Sequence, residues 1–149
     1  MIARLISANS SELLKINGEE LKQSIKASEG RTVLSENVVI QPAIDGLTMS
    51  EIAAAFGADL ILLNLFDVFE PKVSGLEVKD AKDTVKRLKE LTGRPIGVNL
   101  EPVDPDVKME STKFELPKGR IATAESMRRA EELGFNFVCY PGAAALPTR

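Results

Sequence analysis

Three times along the chain, an amphipathic segment runs into a glycine and a short apolar stretch follows. Ala53-Ala54-Ala55-Phe56-Gly57 leads into Leu60-Ile61-Leu62-Leu63-Asn64-Leu65. Leu88-Lys89-Glu90-Leu91-Thr92-Gly93 leads into Pro95-Ile96-Gly97-Val98-Asn99-Leu100, and Arg129-Ala130-Glu131-Glu132-Leu133-Gly134 into Phe135-Asn136-Phe137-Val138-Cys139-Tyr140. The glycines lie 36 and 41 residues apart, a spacing that suits βα units better than short solenoid repeats. Glycine fits the left-handed residue that ends a helix before the chain turns into a strand. Strands this apolar are usually buried on both faces, which predicts a parallel sheet joined by right-handed crossovers.

The remaining elements follow from local signals. A first strand is expected at Thr32–Val39, stopped by Pro42 and the Asp45-Gly46 turn. Thr48 with Glu51 reads as a capping box opening a helix at Met49–Phe56. Over Asp80–Thr92 the apolar residues Ala81, Val85 and Leu88 recur at helical spacing, and Asp83 and Arg87 are placed to pair on the wet face. Thr123 is expected to cap Ala124–Leu133, with Met127 and Ala130 facing inward. Residues 1–30 read as a helical lead-in. In it Ser10 or Ser11 caps a short segment, Asn17 with Glu20 opens a second, and Leu21 and Ile25 share a face before Gly30.

The sum is an α/β chain, a lead-in followed by βαβαβαβ in one domain over residues 1–149. The fold expected is the first half of a TIM-type (β/α)₈ barrel, with strands in the order 1-2-3-4 and the helices on one face. Residues 141–149 hold two prolines and leave no room for another helix, so the barrel is expected to be incomplete or truncated. Its bare inner face and open edges predict a homo-oligomer, a dimer or larger, with Val33, Leu62, Val98 or their alternate neighbours at the interface. A small doubly wound three-layer sheet, self-sufficient because both faces are covered, is the alternative.

Composition narrows the function. The net charge is −3, with one Tyr, no Trp and no run of like charges, which argues against a nucleic-acid platform. The longest apolar stretches are too short to span a bilayer, and the N-terminus lacks the apolar run of a signal peptide. One cysteine, Cys139, allows no internal disulfide and fits a reducing compartment, so a cytoplasmic location is expected. Histidine is absent, which removes Ser-His-Asp and Cys-His nucleophile systems and the commonest transition-metal ligand. Acid–base or metal work must fall to carboxylates, amides, Lys, Cys or Tyr.

In either architecture ligands bind beyond the carboxyl ends of the strands. Those ends carry Glu36 and Asn37, with Gln41 and Asp45 after them; Asn64, Asp67 and Glu70; Asn99, Glu101 and Asp104; and Cys139 with Tyr140. The candidate catalytic set is Glu36, Asn64, Asp67, Asn99 and Glu101. Oxygen ligands at successive strand ends suit a hard cation, so Asp67 and Glu101 are the candidate ligands for Mg²⁺. Polar turns account equally for Asp and Asn after strands. Cys139, among apolar neighbours and without a histidine, reads as structural. Residues 103–120 form a long polar connection expected to overhang the mouth as a lid. A phosphatase-like reading of Leu62-Leu63-Asn64-Leu65-Phe66-Asp67 lacks its second aspartate, since Phe69 and Glu70 follow instead.

At Ala54-Ala55-Phe56-Gly57-Ala58-Asp59-Leu60-Ile61-Leu62-Leu63-Asn64 the chain resembles bacterial (β/α)₈ barrels of the phosphoenolpyruvate phosphonomutase-like family. Gln41-Pro42 with Asp45-Gly46, Pro95 to Pro102, and Gly134 to Cys139 extend the likeness over about Arg31 to Cys139. The resemblance implies a barrel about twice this length, with a site spread over both halves. It also implies a metal-assisted lyase or isomerase acting on a small phosphorylated or carboxylate substrate, an anionic metabolite. The superfamily's Asp-x-Asp-x-Gly motif does not stand here, and Asn99-Leu100-Glu101-Pro102 is its loosest counterpart. The alternative is a non-catalytic half-barrel module that folds by self-association.

Overall fold

In the computed structural model, which describes residues 4–103 and 116–140, four parallel strands pair in chain order. They are β1 (Leu34–Val38), β2 (Leu60–Asn64), β3 (Ile96–Asn99) and β4 (Phe137–Cys139). The helices are α1 (Ser10–Leu13), α2 (Gly18–Ala27), α3 (Met49–Ala55), α4 (Thr84–Thr92) and α5 (Ala124–Leu133). The protein is therefore α/β, built of βα units. Because strand order follows chain order without reversal, the switch point of a doubly wound sheet is missing, and that alternative is set aside.

Capping chemistry fixes the helix starts. Thr48 Oγ1 accepts from the Glu51 amide at 3.1 Å while Glu51 Oε2 accepts from the Thr48 amide at 3.0 Å, the reciprocal box expected from sequence. Asn17 and Glu20 repeat it on α2. On α1 the cap is Asn9 rather than Ser10 or Ser11, with Glu12 closing the box at 2.8 Å. Glycines at φ 62 (Gly93) and φ 89 (Gly134) stop α4 and α5 in the left-handed region.

Two expected side-chain placements differ. Asp83 closes a short 3₁₀ turn (Ala81–Asp83) ahead of α4, where the 3.6-residue repeat does not yet hold, so Arg87 pairs with Glu90 at 3.4 Å instead. Ala81 on the same turn is exposed. On α5, Ala130 is fully buried but Met127 stays 40% exposed.

Alternation along the strands separates two cores. Ile61, Leu63, Ile96 and Val98 face Val85, Leu88, Ala130 and Leu133 of α4 and α5 in the larger one. Leu60 and Phe137 face the other way and pack with Leu5, Leu13 and Leu21 of the lead-in. Asn136 fastens this second layer, accepting from the Ile96 amide at 3.0 Å and donating to Ile16 O at 3.2 Å. The helices thus do not all lie on one face, because the lead-in covers the amino end of the opposite one. Val98 belongs to the helix-covered core and is fully buried, which leaves its alternate neighbours to the expected interface, and Leu62 on the inner face is only 5% exposed. The inner face holds Leu34, Glu36 and Val38 of β1, Leu62 and Asn64 of β2, and Gly97 and Asn99 of β3.

Candidate functional site at the carboxyl ends of the strands

At the upper rim of the inner face, the strand register sets Val38 beside Asn64 and Asn99 beside Cys139. Asn99 joins the two middle strands. Its Nδ2 donates to Glu101 Oε1 at 3.1 Å and, at the limit of hydrogen bonding, to Asn64 Oδ1 at 3.5 Å. Asn64 Oδ1 also accepts from the Leu65 amide at 2.8 Å. That bond holds Leu65 at φ 63, a left-handed conformation costly for a leucine and of the kind that gathers at functional sites. All three polar side chains are half-buried.

Glu101 is fixed through its backbone. Its amide donates to Arg120 O at 2.7 Å and its carbonyl accepts from the Ala122 amide at 2.9 Å, in a parallel bridge to Ile121. The chain returning towards α5 therefore lies along the end of β3 and carries Arg120 to the rim.

Asp67 sits in the loop after β2. Its Oδ1 accepts from the amides of Phe69 at 2.8 Å and Glu70 at 3.2 Å, an Asx-type turn. Gly119 lies against this carboxylate so closely that any side chain there would collide with it. The Val68 amide donates to Gly119 O at 3.2 Å, docking the loop after β3 onto the loop after β2. One oxygen of Asp67 is thus spent on structure.

The structure brings together three of the five sequence candidates: Asn64, Asn99 and Glu101. Glu36 shares their face but lies lower, level with Leu62, exposed and without a hydrogen-bond partner among the described residues. Asp67 lines an adjoining concavity together with Lys72, Ser74 and Arg120. Asn37 turns to the helix side, where it is 4% exposed. Among the described residues no group of three or more His, Cys, Asp or Glu is arranged to hold a metal ion. Of residues 103–120, the stretch 104–115 lies outside the described residues, as do residues 141–149.

Sequence reasoning passed over Lys72, Ser74 and Arg120. They carry no motif, and a lysine or arginine in a loop looks like any solvated charge. Their common signal is position, since each follows a strand whose end is already polar.

Fold and rim define the class: a parallel βα sheet with a polar, hydrogen-bonded constellation at the carboxyl ends of its central strands. Over residues 6–147 the chain matches the model of the family described as Domain of unknown function (DUF7916), and it belongs to that family. No curated protein matches it, and no solved structure does. No helix among the described residues is long and apolar enough to cross a membrane.

Proposed function

We propose that these βα units form the first half of a (β/α)₈ barrel whose mouth is the site of a metal-assisted lyase or isomerase. Its substrate is a small phosphorylated or carboxylate metabolite. The observation carrying this reading is the hydrogen-bonded set Asn64–Asn99–Glu101 at the ends of adjacent parallel strands, where barrel enzymes keep their chemistry. A non-catalytic sheet has no evident use for a half-buried carboxylate oriented by an amide beside a strained Leu65.

A hard cation fits the oxygen donors present. Mg²⁺ accepts one or two carboxylates and completes its shell with waters and substrate oxygens. Glu101 would hold it; Asp67, the other carboxylate expected to do so, lines the adjoining concavity and has one oxygen committed to backbone amides. When bound, such an ion supplies Lewis-acid stabilisation to an oxygen that gains negative charge. The chain's own contribution is positioning. Asn99 Nδ2 fixes the Glu101 carboxylate, and Asn64 is held by the same amide and by its own bond to the Leu65 amide.

The uncovered part of the inner face and the strand edges would be closed by self-association of the half-barrel. The test of function is a thermal melt with Mg²⁺, phosphoenolpyruvate or pyruvate, singly and together. The expected result is a rise in Tm with Mg²⁺ and one of the acids that exceeds either alone. A well-folded sample that responds to no combination would instead mark a non-catalytic module.

A further inference from the structure

Beside the Asn64–Asn99–Glu101 set lies a concavity of about 350 Å³, walled by the chain following β1, β2 and β3. Lys72 and Ser74 line it from the loop after β2, and Arg120 from the loop after β3. Ser74 and Arg120 are anchored through the backbone near strand ends. The Ser74 amide donates to Val39 O at 2.8 Å, and Arg120 O accepts from the Glu101 amide at 2.7 Å. Among the described residues Lys72 and Arg120 make no ion pair with the acids of this wall. Of the acids in the same wall, Asp67 has one oxygen committed to backbone amides and Glu70 is exposed.

An arginine fork, a lysine point charge and a hydroxyl line this wall from two loops. A tetrahedral oxyanion can use all three, whereas a planar carboxylate is satisfied by the arginine alone. We propose that Lys72, Ser74 and Arg120 bind the phosphoryl group of the substrate, next to Glu101. This deepens the proposed function by choosing the phosphorylated over the simple carboxylate substrate, and it rests on that reading of the mouth.

The probe is inorganic phosphate, titrated into the full chain at constant ionic strength and followed by calorimetry, with acetate as the parallel arm. Saturable phosphate binding is expected, weakened at least about tenfold by Lys72→Gln or Arg120→Gln and unchanged by Lys82→Gln, which removes a surface cation paired with Asp80. Arg120→Lys should retain part of the affinity. If Arg120→Gln does not fold, Lys72→Gln, at an exposed position, carries the test. Phosphate that does not saturate, a Lys82→Gln variant that loses as much as Lys72→Gln, or acetate binding as tightly as phosphate would overturn the assignment. Glu101→Gln separates this inference from the reading beneath it. Phosphate affinity should survive that change, and phosphate binding in a wild-type chain that ignores Mg²⁺ leaves the pocket standing while the metal-assisted reaction falls.

Discussion

Asn99 Nδ2 lies 3.1 Å from Glu101 Oε1, so an amide and a carboxylate two residues apart on one strand end are joined by a hydrogen bond. The amide is the donor that makes a half-buried charge tolerable there. Asn99→Asp removes that donor and sets a second negative charge beside Glu101, at an expected cost of about 1–3 kcal/mol. Urea midpoints of the variant and wild type check this, and an unchanged midpoint would contradict it.

Gly97 is paired with Phe137 in the register of β3 and β4, and the Phe137 ring occupies the space a side chain at Gly97 would need. Gly97→Ala is expected to cost about 1–3 kcal/mol by overpacking. Trimming the ring in the double variant with Phe137→Leu should return part of that loss, as a double-mutant cycle would measure.

Asn136 links the start of β3 to the lead-in through two bonds to main-chain groups. Asn136→Ala removes both, leaving the Ile96 amide and the Ile16 carbonyl without this partner, at a cost of about 1–3 kcal/mol. Hydrogen exchange should accelerate in α2 well before it does in α4. Equal acceleration throughout would mean that the lead-in is not separately fastened.

Much of this architecture was legible in the residues. Apolar strands at 60–65 and 95–100, the Thr48–Glu51 and Asn17–Glu20 boxes and the glycines at 93 and 134 are short-range signals, and each reports on its own neighbourhood. What failed were statements about which side a residue faces. For Val98 and its alternate neighbours the phase stays open in the sequence, because alternation alone does not set it; packing against Val85 and Ala130 does. Arg87 found Glu90 rather than Asp83 because a 3₁₀ turn precedes α4. For the site, the nominated Asn64, Asn99 and Glu101 do meet, since strand ends of a parallel sheet converge. Asp67 shows the converse, because the same aspartate that suits a metal also suits an Asx turn.

The proposed association rests on an open strand edge. The Leu60 amide donates to Val33 O and the Val39 amide to Asn64 O, so odd-numbered residues of this strand bond to β2. The main-chain groups of Leu34, Glu36 and Val38 accordingly face the open edge. Sedimentation at micromolar concentration should show a dimer or larger species. Val38→Lys, at a position 39% exposed on the inner face, should shift it towards monomer without unfolding. A stable monomeric wild type would contradict closure by a second copy.

The most direct test of the central claim, that Glu101 is the working carboxylate of a metal-assisted site, is a calorimetric titration of Mg²⁺ in the presence of phosphoenolpyruvate. Wild type is compared with Glu101→Gln, which keeps the shape and one oxygen acceptor for Asn99 but removes the charge. The account predicts saturable Mg²⁺ binding to wild type that Glu101→Gln abolishes or weakens at least about tenfold, with the circular dichroism spectrum unchanged. Equal Mg²⁺ binding by the two proteins, or none by a folded wild type, would contradict it.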